Sequence, residues 1–163
     1  MAVSYINTSR SLSEWMDRVI DRIKRQLMVD KTVASKRTYN SIDKKMDGQL
    51  SVQLLSNEAK GSGLSTLEII DKGRRRGSIP PVDDIMKWMD DKNIRPKNGK
   101  GGFAKSSNRN KRAAAYAIAK SIGDKGTIKR FGYRGSDIFN YATTPILDEM
   151  TQDILQSYVN DVE

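Results

Sequence analysis

Two long stretches of this chain, one near each end, carry apolar residues at steps of three and four. The first stretch contains Trp15, Met16, Val19, Ile20, Ile23 and Leu27, and the second contains Ile146, Leu147, Met150, Ile154, Leu155, Tyr158 and Val159. Such spacing places the apolar side chains on one face of an α-helix and the charged side chains on the other. The sequence therefore predicts amphipathic helices over about residues 12–29 and 144–160.

Between these two helices, the spacing of apolar and polar residues differs from one segment to the next. Residues 31–47 fit a short helix or an irregular link. In Gln49–Ser56, Leu50, Val52 and Leu54 alternate with polar residues, which predicts a half-buried strand. Residues 64–71 fit either a strand or a short helix.

Two more helices are predicted in the second half of the chain. One covers about residues 81–92 and begins at the second residue of a Pro-Pro pair, and the other covers about 109–123 and ends at Gly123. The predicted fold class is α+β. It comprises a small antiparallel sheet packed against several amphipathic helices, including long N-terminal and C-terminal helices.

The length of the chain, 163 residues, suits one domain with a sizeable core. Residues 1–10 are polar and are predicted to form a flexible N-terminal arm. Residues 11–163 are predicted to form a single domain that contains a basic, glycine-rich loop at about 94–108.

The chain contains no cysteine and no histidine. This composition excludes disulfides, Cys/His metal sites, thiol nucleophiles and serine–histidine catalysis. The adjacent carboxylates Asp83-Asp84 and Asp90-Asp91 are interpreted as helix-terminal or solvated residues, although an enzyme using them with a divalent ion is one hypothesis. We therefore expect no catalytic, cofactor-binding or metal-binding residue.

No apolar run approaches the ~18 residues of a membrane helix, and the first residues have no basic region followed by an apolar stretch. We therefore expect a protein made in the cytoplasm, without a membrane partner.

Positive charge is concentrated in one part of the sequence. The whole chain has 29 Lys and Arg against 20 Asp and Glu, and the segment 95–134 holds twelve of the former and one of the latter. Arg74–Arg76 adds a smaller cluster. Such a segment favours nucleic acid or an acidic protein surface as a partner. The predicted partner-facing or DNA-facing basic surface comprises Arg74, Arg75, Arg76, Arg95, Lys97, Lys100, Lys105, Arg109, Lys111, Arg112, Lys129, Arg130 and Arg134.

The string GRRRGSIPPVDDIMKWMDDKNI, residues 73–94, resembles a segment of the small tail-completion or head–tail joining proteins of tailed bacteriophages. In that family a glycine–basic–glycine turn leads into a Pro-Pro helix with an Ile and a Trp. Asn93 stands where the family commonly has glycine. A second string, AAYAIAKSIGDKGT at 114–127, is similar to the alanine-rich helix of the family, and the likeness covers about residues 12–160. The matching structural positions are Gly73, Gly77, Pro80, Pro81, Ile85, Trp88 and Ile94.

The resemblance implies a structural protein of the virion that acts through assembly and without catalysis or cofactor. Its subunits would form a homo-oligomeric ring, sixfold or twelvefold, in the head–tail connector. The ring would bridge the portal or adaptor and the tail, and DNA would pass through its lumen. The alternative from the residues alone is a non-specific DNA-binding protein that uses the basic segment 95–134.

Overall fold

The computed structural model describes residues 4–30, 36–59, 64–97, 101–104, 107–131 and 135–163. These residues are mostly helical and include two short antiparallel strand pairs, so the predicted α+β class is confirmed. In chain order the elements are α1 (Ile6–Val29), α2 (Lys36–Ser41), β1 (Asp43–Met46), β2 (Val52–Leu55), β3 (Glu58–Ala59), β4 (Leu64–Ser65), α3 (Thr66–Lys72), α4 (Val82–Asp91), α5 (Asn108–Phe131), α6 (Ile138–Thr143), a 3₁₀ turn (Thr144–Ile146) and α7 (Leu147–Val162).

The chain divides into two compact units, whereas the sequence predicts one domain after residue 10. Unit 1 comprises Met1–Val33, Arg37–Asn57 and Asp137–Glu163. Unit 2 comprises Ala34–Lys36 and Glu58–Ser136. Both ends of the chain therefore belong to unit 1, and most of the central segment belongs to unit 2.

The core of unit 1 is the apolar face of α1. Its buried apolar residues are all ones that the helical period predicts, and Ile23 and Leu27 are almost completely removed from solvent. This face packs against α6 and α7 and against the hairpin formed by β1 and β2. The buried apolar residues of α1 are Trp15, Val19, Ile20, Ile23 and Leu27.

Strand β1 has the sequence Asp-Lys-Lys-Met and no alternation that would predict a strand. It forms because it pairs with the predicted strand β2, with Asp43 opposite Leu55 and Met46 opposite Val52. The Lys44 ammonium also bonds to the Ser13 carbonyl at 2.9 Å and contacts the Asp17 carboxylate. The pairing with β2 and the contacts of Lys44 therefore hold the polar strand β1 against α1.

Helix α1 begins at Ile6, six residues before the predicted start, because a side chain from α7 caps its first turn. The Asp161 carboxylate accepts hydrogen bonds from the backbone N–H groups of Asn7 at 2.9 Å and Thr8 at 2.8 Å. It also accepts the Thr8 hydroxyl at 2.7 Å, and Thr8 is only 2% exposed. Much of the predicted arm is therefore helical, and residues 1–3 lie outside the described residues.

The charge on Asp161 is also favoured electrostatically. Desolvation by itself raises the pKa of this carboxyl, but the hydrogen bonds from Thr8 and Asn7 outweigh desolvation and leave the pKa below its ordinary value. A carboxylate at a helix N-terminus also complements the helix dipole. Asp161 thus joins the last turn of α7 to the first turn of α1.

Unit 2 is built around the packed pair α4 and α5. Met89 of α4 and Ala115 and Ala119 of α5 are almost completely buried. The small alanine side chains let the two helices approach closely. The predicted helix over 81–92 is confirmed with bounds 82–91, whereas α5 continues beyond Gly123 and changes direction at Gly126, which has φ +68°.

The ambiguous segment 64–71 contains both predicted types of structure, a two-residue strand followed by α3. Ser65 and Glu68 form a reciprocal capping box at the start of α3. The hydrogen bond that the Ser65 backbone N–H donates lowers the pKa of the Glu68 carboxyl, with a smaller contribution from the Ser65 hydroxyl.

Candidate functional site

The two units carry opposite net charge. Unit 2 contains 20 Lys and Arg against eight Asp and Glu, a net charge of +12. Unit 1 contains nine Lys and Arg against twelve Asp and Glu, a net charge of −3. Every residue of the predicted basic surface belongs to unit 2, so unit 2 is the candidate site.

The loop at residues 73–78, called here the arginine loop, follows α3 and is hydrogen-bonded to α5 near its bend. Thr127 donates its N–H to the Arg74 carbonyl at 2.8 Å, and Arg74 donates its N–H to the Thr127 hydroxyl at 2.8 Å. Further along, Gly77 donates to the Gly123 carbonyl at 2.8 Å. A Cβ on Gly126 would lie 2.4 Å from the Arg74 carbonyl oxygen, so glycine is required for this close approach.

Arg74 departs from the predicted surface because its side chain is directed into the protein. The residue is 9% exposed, and its guanidinium donates to the Ser78 carbonyl at 2.8 Å and to the Ser78 hydroxyl at 3.2 Å. Burial lowers the pKa of this guanidinium. Arg74 therefore shapes the loop, and the exposed arginines of the cluster are Arg75 and Arg76.

Two residues of the predicted surface form ion pairs with α4. Arg112 contacts the Asp83 carboxylate at 2.9 Å, and Lys111 forms an ion pair with Asp90. One aspartate of each adjacent carboxylate pair thus has a basic partner within its own chain. Among the described residues, no group of three or more His, Cys, Asp or Glu could hold a metal ion.

The segment after α4 carries Arg95 and Lys97, both exposed. Lys97 forms an isolated antiparallel bridge with Phe103, whose side chain is 67% exposed. A shallow groove of about 690 Å³ runs from Lys97 and Phe103 to Asn110, Ala113 and Ala114 of α5. Lys100 and Lys105 lie outside the described residues.

Helix α5 carries the largest share of the described basic surface. Arg109 and Arg112 are exposed in its first turns, and Lys129 and Arg130 belong to its last turns. Lys120 is exposed as well and was not part of the predicted surface. Its place within the basic segment 95–134 is the sequence signal for it. Arg134 lies outside the described residues.

The positions that carry the family resemblance connect these elements. Gly73 ends α3 with φ +73° and donates its N–H to the Ile69 carbonyl, and Pro81 is the N-cap of α4. Ile94 donates its N–H to the Met89 carbonyl at 2.7 Å after the end of α4. Pro80 is buried, Ile85 and Trp88 are half-buried, and Gly77 joins the loop to α5.

Comparison of the chain with models of known protein families, with curated proteins and with solved structures finds no match. Within the described ranges, none of the helices has the length and apolar character needed to cross a membrane.

Proposed function

We propose that this chain is a ring-forming subunit of the head–tail connector of a tailed phage. In this role it bridges the portal or adaptor and the tail around the DNA channel. It is made in the host cytoplasm, acts in the virion, and works through assembly, with no catalytic step, cofactor or membrane partner.

The observation that carries the proposal is the separation of charge between the units, +12 in unit 2 and −3 in unit 1. A ring of identical subunits needs two different surfaces on each copy, one for each neighbour. A chain with one strongly basic unit and one acidic unit supplies surfaces that attract each other between copies. The sequence resemblance at residues 73–94 and 114–127 supports the same role.

A phage that encodes this chain tests the role directly. When the gene is deleted, we expect DNA-filled heads and separate tails that fail to join, and supplying the protein in trans should restore infectious particles. Electron microscopy of the deletion lysate measures the outcome. Joined, infectious particles without the protein would refute the proposal.

The alternative function is non-specific DNA binding by the free protein, and the exposed Arg75, Arg76, Arg95, Lys97 and Arg109 favour it. In this case log Kd would depend linearly on log salt concentration, with a slope of about 0.9 for each neutralised phosphate.

We expect the double variant Arg75→Ala, Arg76→Ala to lower the slope of DNA binding by about 1.8, because two phosphate contacts are lost. Fluorescence anisotropy with a duplex of random sequence measures the slope. The matched control is Arg10→Ala, Lys45→Ala, which removes two exposed basic side chains from unit 1 and should leave the slope unchanged. Equal effects of the two double variants would exclude a DNA-binding role for the arginine loop.

A further inference from the structure

Helix α7 has an exposed apolar stripe beside the side that packs against α1. One side of the helix faces α1, through the half-buried residues Met150, Ile154 and Ser157. None of its residues is fully buried. Beside the packed side, helical periodicity aligns a second apolar set that is between 48% and 59% exposed, comprising Leu147, Leu155 and Val162. Tyr158 lies between them and stacks on Tyr5, with 5.7 Å between the ring centroids.

The segment that carries this stripe is acidic. Residues 137–163 contain six Asp and Glu and no Lys or Arg. Asp148 lies at the edge of the stripe by helical position, Glu163 follows its last turn, and both are exposed. A partner for α7 therefore needs a basic surface that also offers apolar contact.

The outer face of α5 has these properties. Ala113, Tyr116 and Ala117 are exposed there, with Tyr116 52% exposed. Arg109 and Lys120 lie on the same face, at steps of four and three residues along Arg109, Ala113, Tyr116 and Lys120. Small alanine side chains leave room for a second helix, and the two cations border that space.

We propose that the apolar stripe of α7 docks on this outer face of α5 in a second copy of the chain. The stripe supplies Leu155 and Val162 to the space around Ala113 and Ala117. Asp148 and Glu163 meet Arg109 and Lys120. This inference rests on the proposed function, because it identifies the two surfaces that join neighbouring subunits of the ring.

The charges favour the α7-to-α5 pairing over an α7-to-α7 pairing or an α5-to-α5 pairing. Two α7 helices would bring together two segments that contain only acidic charges, and two α5 faces would bring together two basic ones. Like charges across an interface are unfavourable. An α7-to-α5 interface uses different patches on the two copies, so each copy keeps one of each patch for a further neighbour. Such an interface adds subunits in one direction, and it forms a ring when the rotation between neighbours closes.

Charge reversal on each side separately tests the interface. Variant A carries Asp148→Lys and Glu163→Lys, and variant B carries Arg109→Glu and Lys120→Glu. Sedimentation velocity measures self-association of the wild type and of each variant. We expect the wild type to associate and each variant alone to associate at least about tenfold more weakly, because like charges then meet.

Mixing A with B should restore association. The lysines of A then face the glutamates of B, while the acidic α7 of B faces the unchanged α5 of A, so both interfaces are complementary. This recovery also shows that the variants are folded. The matched controls are Asp153→Lys, on another side of α7, and Lys87→Glu, on α4, both exposed positions away from the proposed surfaces. They should associate like the wild type.

The outcomes separate the interface from the function. If the wild type forms rings and A and B alone form them equally well, the interface assignment is overturned while the ring proposal stands. Weakened variants that fail to recover on mixing also overturn the assignment. A wild type that stays monomeric at every concentration overturns both.

Discussion

The variant Gly126→Ala should lose about 3 kcal/mol of unfolding free energy, because the alanine meets two costs at once. The residue has φ +68° and ψ −178°, a backbone region that is essentially restricted to glycine and costs another residue roughly 1–3 kcal/mol. Its Cβ would also lie 2.4 Å from the Arg74 carbonyl oxygen and 2.8 Å from the Arg75 carbonyl carbon. Both atoms belong to a backbone that is bonded to Thr127, so relief needs the loop to move. Overpacking of this kind costs typically 1–3 kcal/mol.

Gly101→Ala is the matched control for this prediction. Gly101 lies in the same unit with φ +83°, but nothing lies within 4 Å of the Cβ that would be added. We expect a loss of about 1 kcal/mol, which is the conformational cost alone. Urea denaturation followed by circular dichroism measures both variants. Equal losses would show that the loop does not approach Gly126 as described.

The variant Asp161→Asn should destabilise unit 1, because it removes the charge that holds the first turn of α1. An amide has one oxygen, so it cannot accept all the hydrogen bonds that Asn7 and Thr8 donate to the two carboxylate oxygens. Thr8 is buried, so a hydroxyl left without an acceptor is costly there. We expect a clear fall of the urea midpoint at pH 7.

The effect of this variant should depend on pH in a defined direction. The folded-state pKa of Asp161 lies below its unfolded value of about 3.9. A carboxyl with a lowered pKa adds stability that is fully present above the unfolded pKa and is lost as the pH falls through the folded pKa. The difference between wild type and variant should therefore be constant from pH 7 to pH 5 and shrink below about pH 4.

Asp153→Asn provides the comparison for Asp161→Asn. Asp153 is an exposed carboxylate of the same helix, eight residues earlier. Its replacement removes the same charge and should change the urea midpoint little at any pH. If the two variants behaved alike, the stabilisation would come from the overall charge of α7 and not from the cap.

Several elements of the fold could be predicted because their signal is local. The apolar period of α1 and the proline pair before α4 identify these helices without reference to the rest of the chain. Strand β1 could not be predicted, because Asp-Lys-Lys-Met is extended only through its partner β2. The predicted end of the helix at Gly123 was wrong, since α5 continues to a bend at Gly126, where it contacts the backbone of Arg74–Arg76.

The sequence located the basic segment of the candidate site, but it did not show which of the basic side chains are buried or paired. Charge counting located the basic segment, and most described members of the predicted surface are exposed. Arg74 is the exception, since neighbouring arginines have the same local sequence character and only the contact with Ser78 distinguishes the buried one. Lys111 and Arg112 also proved to be paired with α4, and such partners are distant in sequence.

The sequence by itself determined the positions of the long helices, the absence of thiol and imidazole chemistry, and the concentration of positive charge in the second half. These properties depend on residue identity and on the helical period. Only the tertiary structure decided that unit 1 joins the two ends of the chain, since Asp161 binds Thr8 from 153 residues away. The same folding gathers the acidic C-terminal segment into one unit and the basic segment into the other. The net charge of each unit depends on which distant segments pack together, and burial and hydrogen bonding between those segments make that choice.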